Sequence, residues 1–162
     1  MSPSITYASV ISRETVGIAL TMEELNNMSI NNADTMNGYI NAPCGEKLYT
    51  ILGPEFVPDE GKMTIIVRNL YVLKSVGGSL QNHLAEYIQF IEYKPCLYDP
   101  DMWIRPMQRS SNDFEQYEYV LIYVQNVLAI GNDPTVVLNN IDEYFDLKPG
   151  SISYPNTYIG AS

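Results

Sequence analysis

The chain has 162 residues and a mass of 18.3 kDa, which predicts a single domain, 1–162, with enough apolar sequence to bury its own core. Nine Lys and Arg residues against 19 Asp and Glu residues give a formal net charge of −10, which argues against a nucleic-acid-wrapping surface and against docking on an anionic membrane. Because 46% of the residues are hydrophobic and 17% are charged, the composition is globular and excludes a disordered chain.

The sequence also carries information on the compartment. Its longest apolar runs fall far short of the roughly 18 residues that a membrane span needs, and Met1–Ser4 shows neither the basic nor the apolar stretch of a signal peptide. Cys44 and Cys96 form no disulfide framework and are expected to be buried as small apolar residues. We therefore expect an intracellular protein with no membrane partner, cytoplasmic by default, with the nucleus as the alternative.

The first half of the chain alternates helical and strand patterns, which predicts a mixed α/β domain. Residues 12–28 are predicted to form a helix, because Ser12 can cap it and Val16, Ala19 and Leu20 repeat at helical spacing. Strands are then predicted at residues 29–36, 47–52 and 63–68, and a loop rich in proline and glycine at 53–62.

The second half begins with the strongest helical signal, at residues 76–92. Its apolar stripe comprises Leu80, Leu84, Tyr87, Ile88 and Ile91. His83 on this helix has no second His or Cys at ligand spacing, so no metal role is predicted for it. A strand is predicted at 101–107, with Trp103 packed in the core, followed by a turn at 109–113.

A β-hairpin and a helix are predicted next. Tyr117–Val124 and Val127–Ile130 are β-rich runs separated only by Gln125 and Asn126, and Asn tolerates a positive φ at such a tip better than Gln does. Asp133 followed by Pro134 predicts the N-cap and first residue of a helix that runs to about residue 145. The apolar stripe of this helix comprises Val137, Leu138, Ile141, Tyr144 and Phe145. The tail, 146–159, is predicted to form one or two short strands.

Three stretches in chain order resemble the reverse transcriptase of copia-type retrotransposons. Ala33-Asp-Thr-Met-Asn-Gly-Tyr-Ile-Asn-Ala-Pro43 is similar to the strand-to-helix segment that opens with the family's first catalytic Asp. Leu70-Tyr-Val-Leu-Lys-Ser75 is similar to the family's Leu-Tyr-Gly-Leu-Lys element, and Tyr123-Val-Gln-Asn-Val-Leu128 occupies the place of its Tyr-Val-Asp-Asp hairpin. Flanking segments at 9–19, 99–105, 145–148 and 158–160 agree, so the resemblance covers nearly all of the chain.

This resemblance implies an α+β fold, the reverse-transcriptase palm, in which a ferredoxin-like antiparallel sheet is backed by helices. Part of the fingers would accompany the palm, and we expect neither a thumb nor an RNase H domain. The chain would be a fragment of a longer Pol polyprotein, or a remnant of one. The implied activity is RNA-directed DNA polymerase, a nucleotidyltransferase, with an RNA or DNA template-primer and a dNTP as partners.

The resemblance also implies a site. Such polymerases use two Mg²⁺ ions, held by hard oxygen ligands, to clamp the attacking and leaving oxygens. Asp34 matches the family's first catalytic aspartate and metal ligand, and the backbone carbonyl of Thr35 would be a further ligand. Tyr39 matches the aromatic residue that lies under the sugar and rejects a 2′-hydroxyl. Lys74 and Arg68 would face phosphate or template.

Gln125 and Asn126 depart from the family pattern, because they replace both aspartates of the catalytic hairpin. An amide keeps a carbonyl oxygen but lacks the negative charge that two divalent cations require. Val72 replaces a glycine of the second motif, and Gly17 stands where the family tends to carry an Arg. We therefore expect a polymerase-like fold that is catalytically inactive and binds Mg²⁺ weakly or not at all.

A simpler role stays open for each matched residue. Asp34 would be a turn or cap residue, Tyr39 a packed tyrosine, the two hairpin amides plain tip residues, and the two basic residues solvated. The alternative function is a non-catalytic protein- or nucleic-acid-binding module derived from a retrotransposon. The acidic charge favours a protein partner, which would dock on the surface that is exposed where a thumb is missing.

Overall fold

The computed structural model of the chain describes residues 10–36, 43–68, 76–108 and 115–155. Its helices are α1 (Arg13–Asn26), α2 (Val76–Phe90) and α3 (Pro134–Phe145), with a short 3₁₀ turn at Pro54–Phe56. Its strands are β1 (Ser29–Asp34), β2 (Pro43–Ile51), β3 (Met63–Arg68), β4 (Lys94–Pro95), β5 (Met102–Gln108), β6 (Glu115–Tyr123) and β7 (Asn126–Gly131). Tyr39, Val72 and Lys74 lie outside the described residues.

The strands form two antiparallel sheets. Five of them pair in the order β1-β7-β6-β5-β4, whereas β2 and β3 form a separate two-stranded ribbon. Every described pairing in both sheets is antiparallel. The predicted mixture of helices and strands is confirmed, and none of the described helices has the length and apolar character of a membrane span.

The five-stranded sheet is buried on both faces, because the apolar runs Tyr119–Ile122 and Val127–Ile130 of its central strands point their side chains alternately to the two faces. On one face, Leu121 and Leu128 pack with Val16 and Ala19 of α1. The opposite face packs against α2 and α3 through Leu84, Ile88, Trp103, Val120, Ile122, Val127, Ala129, Leu138 and Ile141. Burial of Trp103, at 6% exposure, is confirmed.

The two predicted helix caps have different outcomes. The Oγ atom of Ser12 accepts a hydrogen bond from the Thr15 amide at 3.0 Å, so the predicted cap of α1 is confirmed, and the helix ends before Asn27, whose φ is 51°. Helix α3 begins at Pro134 as predicted, but the side chain of Asp133 makes no capping hydrogen bond. The predicted N-cap position of Asp133 is therefore confirmed, although the cap lacks a side-chain hydrogen bond.

Two predictions of burial are wrong. Tyr144, which we placed in the apolar stripe of α3, is 57% exposed, because it lies at the border of the stripe and packs sideways on Tyr87 of α2 rather than on the sheet. Cys96 is a free thiol that is only partly buried, because it follows the short edge strand β4, which has a neighbouring strand on one side only.

The hairpin between β6 and β7 turns one residue earlier than predicted. Tyr123 pairs with Asn126, so the two-residue loop is Val124-Gln125, and Asn126 is the first residue of β7. Val124 has a φ of 56°, whereas Gln125 does not have a positive φ. A positive φ at the first loop residue alone is the pattern of a type II′ turn, which matches the twist of the two strands.

In its described part, 146–155, the tail covers the free edge of β1 without forming a strand of its own. It contributes isolated bridges instead, between Thr35 and Leu147 and between Asn32 and Ser153. Asn32 and Ser153 exchange both backbone hydrogen bonds, at 2.8 and 3.1 Å. The tail therefore satisfies backbone groups of β1 that a free sheet edge would leave to solvent.

Candidate functional site

The residues predicted to occupy the catalytic positions meet where β1 ends and β7 begins. Asp34 and Asn126 are direct partners in the β1–β7 register. The backbone amide of Thr35 donates a hydrogen bond to the carbonyl oxygen of Gln125 at 2.9 Å, and the Thr35 hydroxyl donates to the same oxygen at 3.2 Å. One end of the sheet therefore brings together Asp34, Thr35, Gln125 and Asn126.

Asp34 and Asn126 project on the same face of the sheet. Residues two apart in a strand share a face, and Ile30 and Leu128, on the same strands, both belong to the core that packs on α1. Directly opposed side chains in an antiparallel pair have Cβ atoms about 4.5–5.5 Å apart. The carboxylate of Asp34 and the amide of Asn126, both half-buried, are thus close enough to contact one ligand.

The tail holds the backbone of Asp34 in place. The Lys148 amide donates to the Asp34 carbonyl at 2.8 Å, and the Asp34 amide donates to the Ser151 hydroxyl at 3.2 Å. Among the described residues, none donates a hydrogen bond to the carboxylate of Asp34 or to the backbone carbonyl of Thr35. The carboxylate of the half-buried Asp34 is therefore open to a ligand, whereas Thr35 is buried, at 4% exposure. Sequence reasoning missed Lys148 and Ser151, since only their contact with β1 reveals this role.

The hairpin tip carries backbone strain beside these residues. Val124 is β-branched, and its Cβ substituents clash in the left-handed region that a φ of 56° represents. Such a conformation raises the free energy of the folded state by about 1–3 kcal/mol and persists only where the surrounding structure imposes it. Here the pairing of Tyr123 with Asn126 imposes it.

The charge at this site is low for a metal centre. Of the three residues predicted at catalytic positions, only Asp34 carries a carboxylate; Gln125 and Asn126 have neutral amide side chains. Among the described residues, no three His, Cys, Asp or Glu side chains lie close enough together to hold a metal ion. Mg²⁺ accepts amide and carbonyl oxygens as ligands, but carboxylates bind it more strongly because they are negatively charged. This site has one carboxylate, that of Asp34.

The other matched residues lie elsewhere or outside the described part. Arg68 is the exposed last residue of β3, so it belongs to the two-stranded ribbon and not to the sheet that carries Asp34. Gly17 lies on the exposed side of α1, where a Cβ atom would meet open space. Tyr39 and Lys74 fall among the residues that are not described, and their roles stay predictions.

Asp99 and Asp101 lie at the same end of the sheet, separated from Asn126 by strand β6. Both are buried, and Asp99 accepts hydrogen bonds from the Ser12 amide at 3.1 Å and the Thr15 hydroxyl at 2.6 Å, while Asp101 bonds Gln81 of α2. These two carboxylates therefore connect α1 and α2 to the sheet and add no charge at the hairpin tip. The sequence shows them only as polar residues before a strand.

A second polar cluster lies on β5 and β6 next to the C-terminal end of α2. The Arg105 guanidinium pairs with the Glu118 carboxylate at 2.6 Å and lies over the ring of Tyr93, 4.5 Å from its centroid. The Tyr93 hydroxyl donates to Glu118 at 2.9 Å. Burial and the Glu118 carboxylate raise the pKa of Tyr93 well above its usual range, although Arg105 acts in the opposite direction.

The β2–β3 ribbon has an exposed apolar face. Residues paired across the ribbon share that face, and those exposed on it are Tyr49, Ile51, Met63, Ile65 and Val67. A contiguous exposed patch of this kind is typical of a surface that another chain covers. The predicted protein partner stays a prediction.

Comparison with known proteins supports a retrotransposon Pol origin. The chain is 24% identical over 148 residues to the retrovirus-related Pol polyprotein from transposon RE1 of Arabidopsis thaliana, and the alignment covers 88% of this chain. The chain spans about a tenth of the length of that curated relative. No family model matches the chain, and no solved structure matches it significantly.

Proposed function

We propose that this chain is the palm, with part of the fingers, of a copia-type RNA-directed DNA polymerase whose catalytic centre no longer supports nucleotidyl transfer. The observation that carries the proposal is the pairing of Asp34 with Asn126 at the end of the sheet, with Gln125 hydrogen-bonded to Thr35 beside them. The antiparallel sheet flanked by helices and the similarity to a Pol polyprotein are consistent with it.

Inactivity follows from the charge of the site. Nucleotidyl transfer on two Mg²⁺ ions needs anionic ligands that offset the charge of both cations and hold them close together. The donor set of Asp34, Gln125 and Asn126 provides one carboxylate and two neutral amides, so it does not fit a two-metal centre. Metal stabilisation contributes several kcal/mol to this chemistry, and its loss lowers the rate by several orders of magnitude.

Restoring the two carboxylates tests the proposal. We compare the wild-type chain with Gln125→Asp/Asn126→Asp in Mn²⁺ binding, followed by electron paramagnetic resonance, and in primer extension on an RNA template with Mg²⁺ or Mn²⁺. The matched control is Asn139→Asp/Asn140→Asp, which adds the same charge at exposed positions of α3. We expect the hairpin variant to bind Mn²⁺ about tenfold more tightly or better, and the control to bind like the wild type.

The two measurements separate the parts of the proposal. Primer extension by the wild-type chain would overturn the inactivity. A hairpin variant that binds Mn²⁺ no better than the control would overturn the assignment of these positions as the degenerate catalytic site. Adding Asp34→Asn to the hairpin variant should abolish the gain in Mn²⁺ affinity, because it removes the third carboxylate.

The second candidate function is a non-catalytic module that binds a protein partner. The exposed apolar face of the β2–β3 ribbon and the net charge of −10 favour it. Interface mapping tests the second function, since the partner of a binding module would contact the exposed ribbon face rather than residues 34, 125 and 126.

A further inference from the structure

Helices α2 and α3 expose a cluster of aromatic rings along the line where they meet. This aromatic seam comprises Tyr87 and Phe90 of α2 and Tyr144 of α3. The rings of Tyr87 and Tyr144 are stacked, with centroids 4.6 Å apart and planes 15° apart, and Phe90 lies 6.3 Å from Tyr87. The Tyr87 hydroxyl donates to the carbonyl of Asn140 at 2.7 Å, which fixes this ring on α3.

The seam is open to solvent. Phe90 is 81% exposed and Tyr144 57% exposed. Single exposed apolar residues are common in folded proteins and need no explanation. Stacked and adjoining rings differ, because they present a preformed π surface that loses little conformational entropy when a ligand covers it.

Carboxylates lie beside the seam, and the two helices that form it carry no lysine or arginine. Glu86 is 81% exposed at its side chain and lies one residue before Tyr87, and Glu143 is exposed one residue before Tyr144. Neither α2 nor α3 contains Lys or Arg; the His83 imidazole lies 3.9 Å from the Glu86 carboxylate and contacts the rings of Tyr144 and Phe145. Burial, Glu143 and Tyr144 raise the pKa of the Tyr87 phenol, which agrees with a negative potential at the seam.

We propose that the aromatic seam is a docking surface for lysine or arginine side chains of a basic protein segment. A cation over the exposed rings gains a cation–π interaction, and Glu86 and Glu143 supply its counter-charges. The same chain already combines these groups internally, where the Arg105 guanidinium lies over Tyr93 and pairs with Glu118. This inference stands independently of the polymerase assignment.

The negative charge at the seam favours a basic protein segment over the other ligands that stack on aromatic rings. Single-stranded nucleic acid also stacks on exposed aromatics, but it needs a positive groove along its backbone. The seam offers the opposite sign, and the whole chain has a net charge of −10. A purely apolar partner would have to desolvate the carboxylates of Glu86 and Glu143 without pairing them.

Binding of a fluorescent hexa-arginine peptide by the whole chain tests the proposal. We expect Tyr144→Ala and Phe90→Ala each to weaken binding about two- to fivefold, the range of an exposed cation–π contact, and Glu143→Gln to weaken it similarly. The control Tyr154→Ala removes another exposed tyrosine, and Glu14→Gln removes one negative charge on α1, on the opposite face of the sheet. Circular dichroism verifies that each variant is folded.

The controls decide between the seam and general attraction. Unchanged binding by both controls, with weaker binding by the seam variants, supports the proposal. Equal losses in seam and control variants mean that the peptide is attracted by net charge alone, which overturns it. Tighter binding of oligothymidine than of the peptide, with the same sensitivity to Tyr144→Ala, also overturns it and identifies a nucleic-acid ligand.

Discussion

Replacement of Asp99 by asparagine tests how α1 is held on the sheet. The carboxylate of Asp99 is buried and accepts hydrogen bonds from both the backbone of Ser12 and the hydroxyl of Thr15, and also from the Asp101 amide at 3.2 Å. All of these donors point at a negative group placed at the N-terminus of a helix, where the helix dipole favours it. The isosteric amide keeps the shape of the side chain and removes only its charge and part of its acceptor capacity.

The expected loss follows from these contacts. In Asp99→Asn, the NH₂ group must face at least one donor, so at least one charge-assisted bond is lost, which lowers the free energy of unfolding by about 1.5–3 kcal/mol. The interaction with the helix dipole contributes about 0.3–1 kcal/mol more. We therefore expect a total loss of about 2–4 kcal/mol, or a Tm that is roughly 4–16 °C lower for a domain of this size.

A matched control makes this prediction refutable. Asp133 also precedes a helix, α3, but its side chain makes no capping hydrogen bond, so Asp133→Asn should change the free energy of unfolding by about 0.5 kcal/mol or less. The assay is urea unfolding followed by circular dichroism, with an unchanged m value as the test that the unfolded state is the same. Equal losses in the two variants, or no loss in Asp99→Asn, would refute the reasoning.

Three further predictions concern the hairpin and the polar cluster. Val124→Gly should raise the free energy of unfolding by about 1 kcal/mol, because relief of a strained positive φ exceeds the entropic cost of glycine; urea midpoints check this, and a loss would show that Val124 is not strained. Since burial and Glu118 raise the pKa of Tyr93 above its usual value of 10.0, the unfolded chain loses this proton first, so stability should fall as the pH rises above about 10. Tyr93→Phe should be less stable at neutral pH, because it has lost the hydrogen bond to Glu118, and its stability should fall less steeply above about pH 10; parallel pH profiles would contradict this. In buffer without divalent metal, Gln125→Asp/Asn126→Asp should be destabilised by about 0.2–1 kcal/mol, because Asp34 then faces a like charge across the strands. Addition of Mn²⁺ should restore the Tm of this variant. A Tm that does not change with Mn²⁺ would argue against a metal site here.

Local patterns predicted most of the elements. The helix at 76–92 and the strand at 63–68 carry apolar periodicities of their own, and the structure has α2 at Val76–Phe90 and β3 at Met63–Arg68. Strand β2 starts at Pro43 rather than at residue 47, because its pairing with β3 extends the ladder beyond the β-rich run. The cap at Ser12 was predictable because it depends on atoms only three residues apart.

The β6–β7 hairpin shows why strand register was not predictable from local patterns. Rules for turn residues favour Asn at a positive φ, and they place the loop at Gln125-Asn126. Pairing of Tyr123 with Asn126 instead keeps Val120, Ile122, Val127 and Ala129 on one face of the sheet. A loop at Gln125-Asn126 would instead place Val120 opposite Gly131, which has no side chain, so packing of the buried pairs Val120–Ala129 and Ile122–Val127 outweighs the local preference of Val124.

By itself, the sequence determined the order of the elements and the chemistry available at each position, including the absence of two carboxylates at Gln125 and Asn126. The tertiary structure alone decided which distant residues meet: Thr35 contacts Gln125 across 90 positions, and Asp99 bonds Thr15 across 84. It also decided that Tyr144 is exposed beside Tyr87 rather than buried. The physical reason is that periodicity and caps depend on neighbours within a few residues, whereas strand register and helix packing are set by burying both faces of one sheet at once.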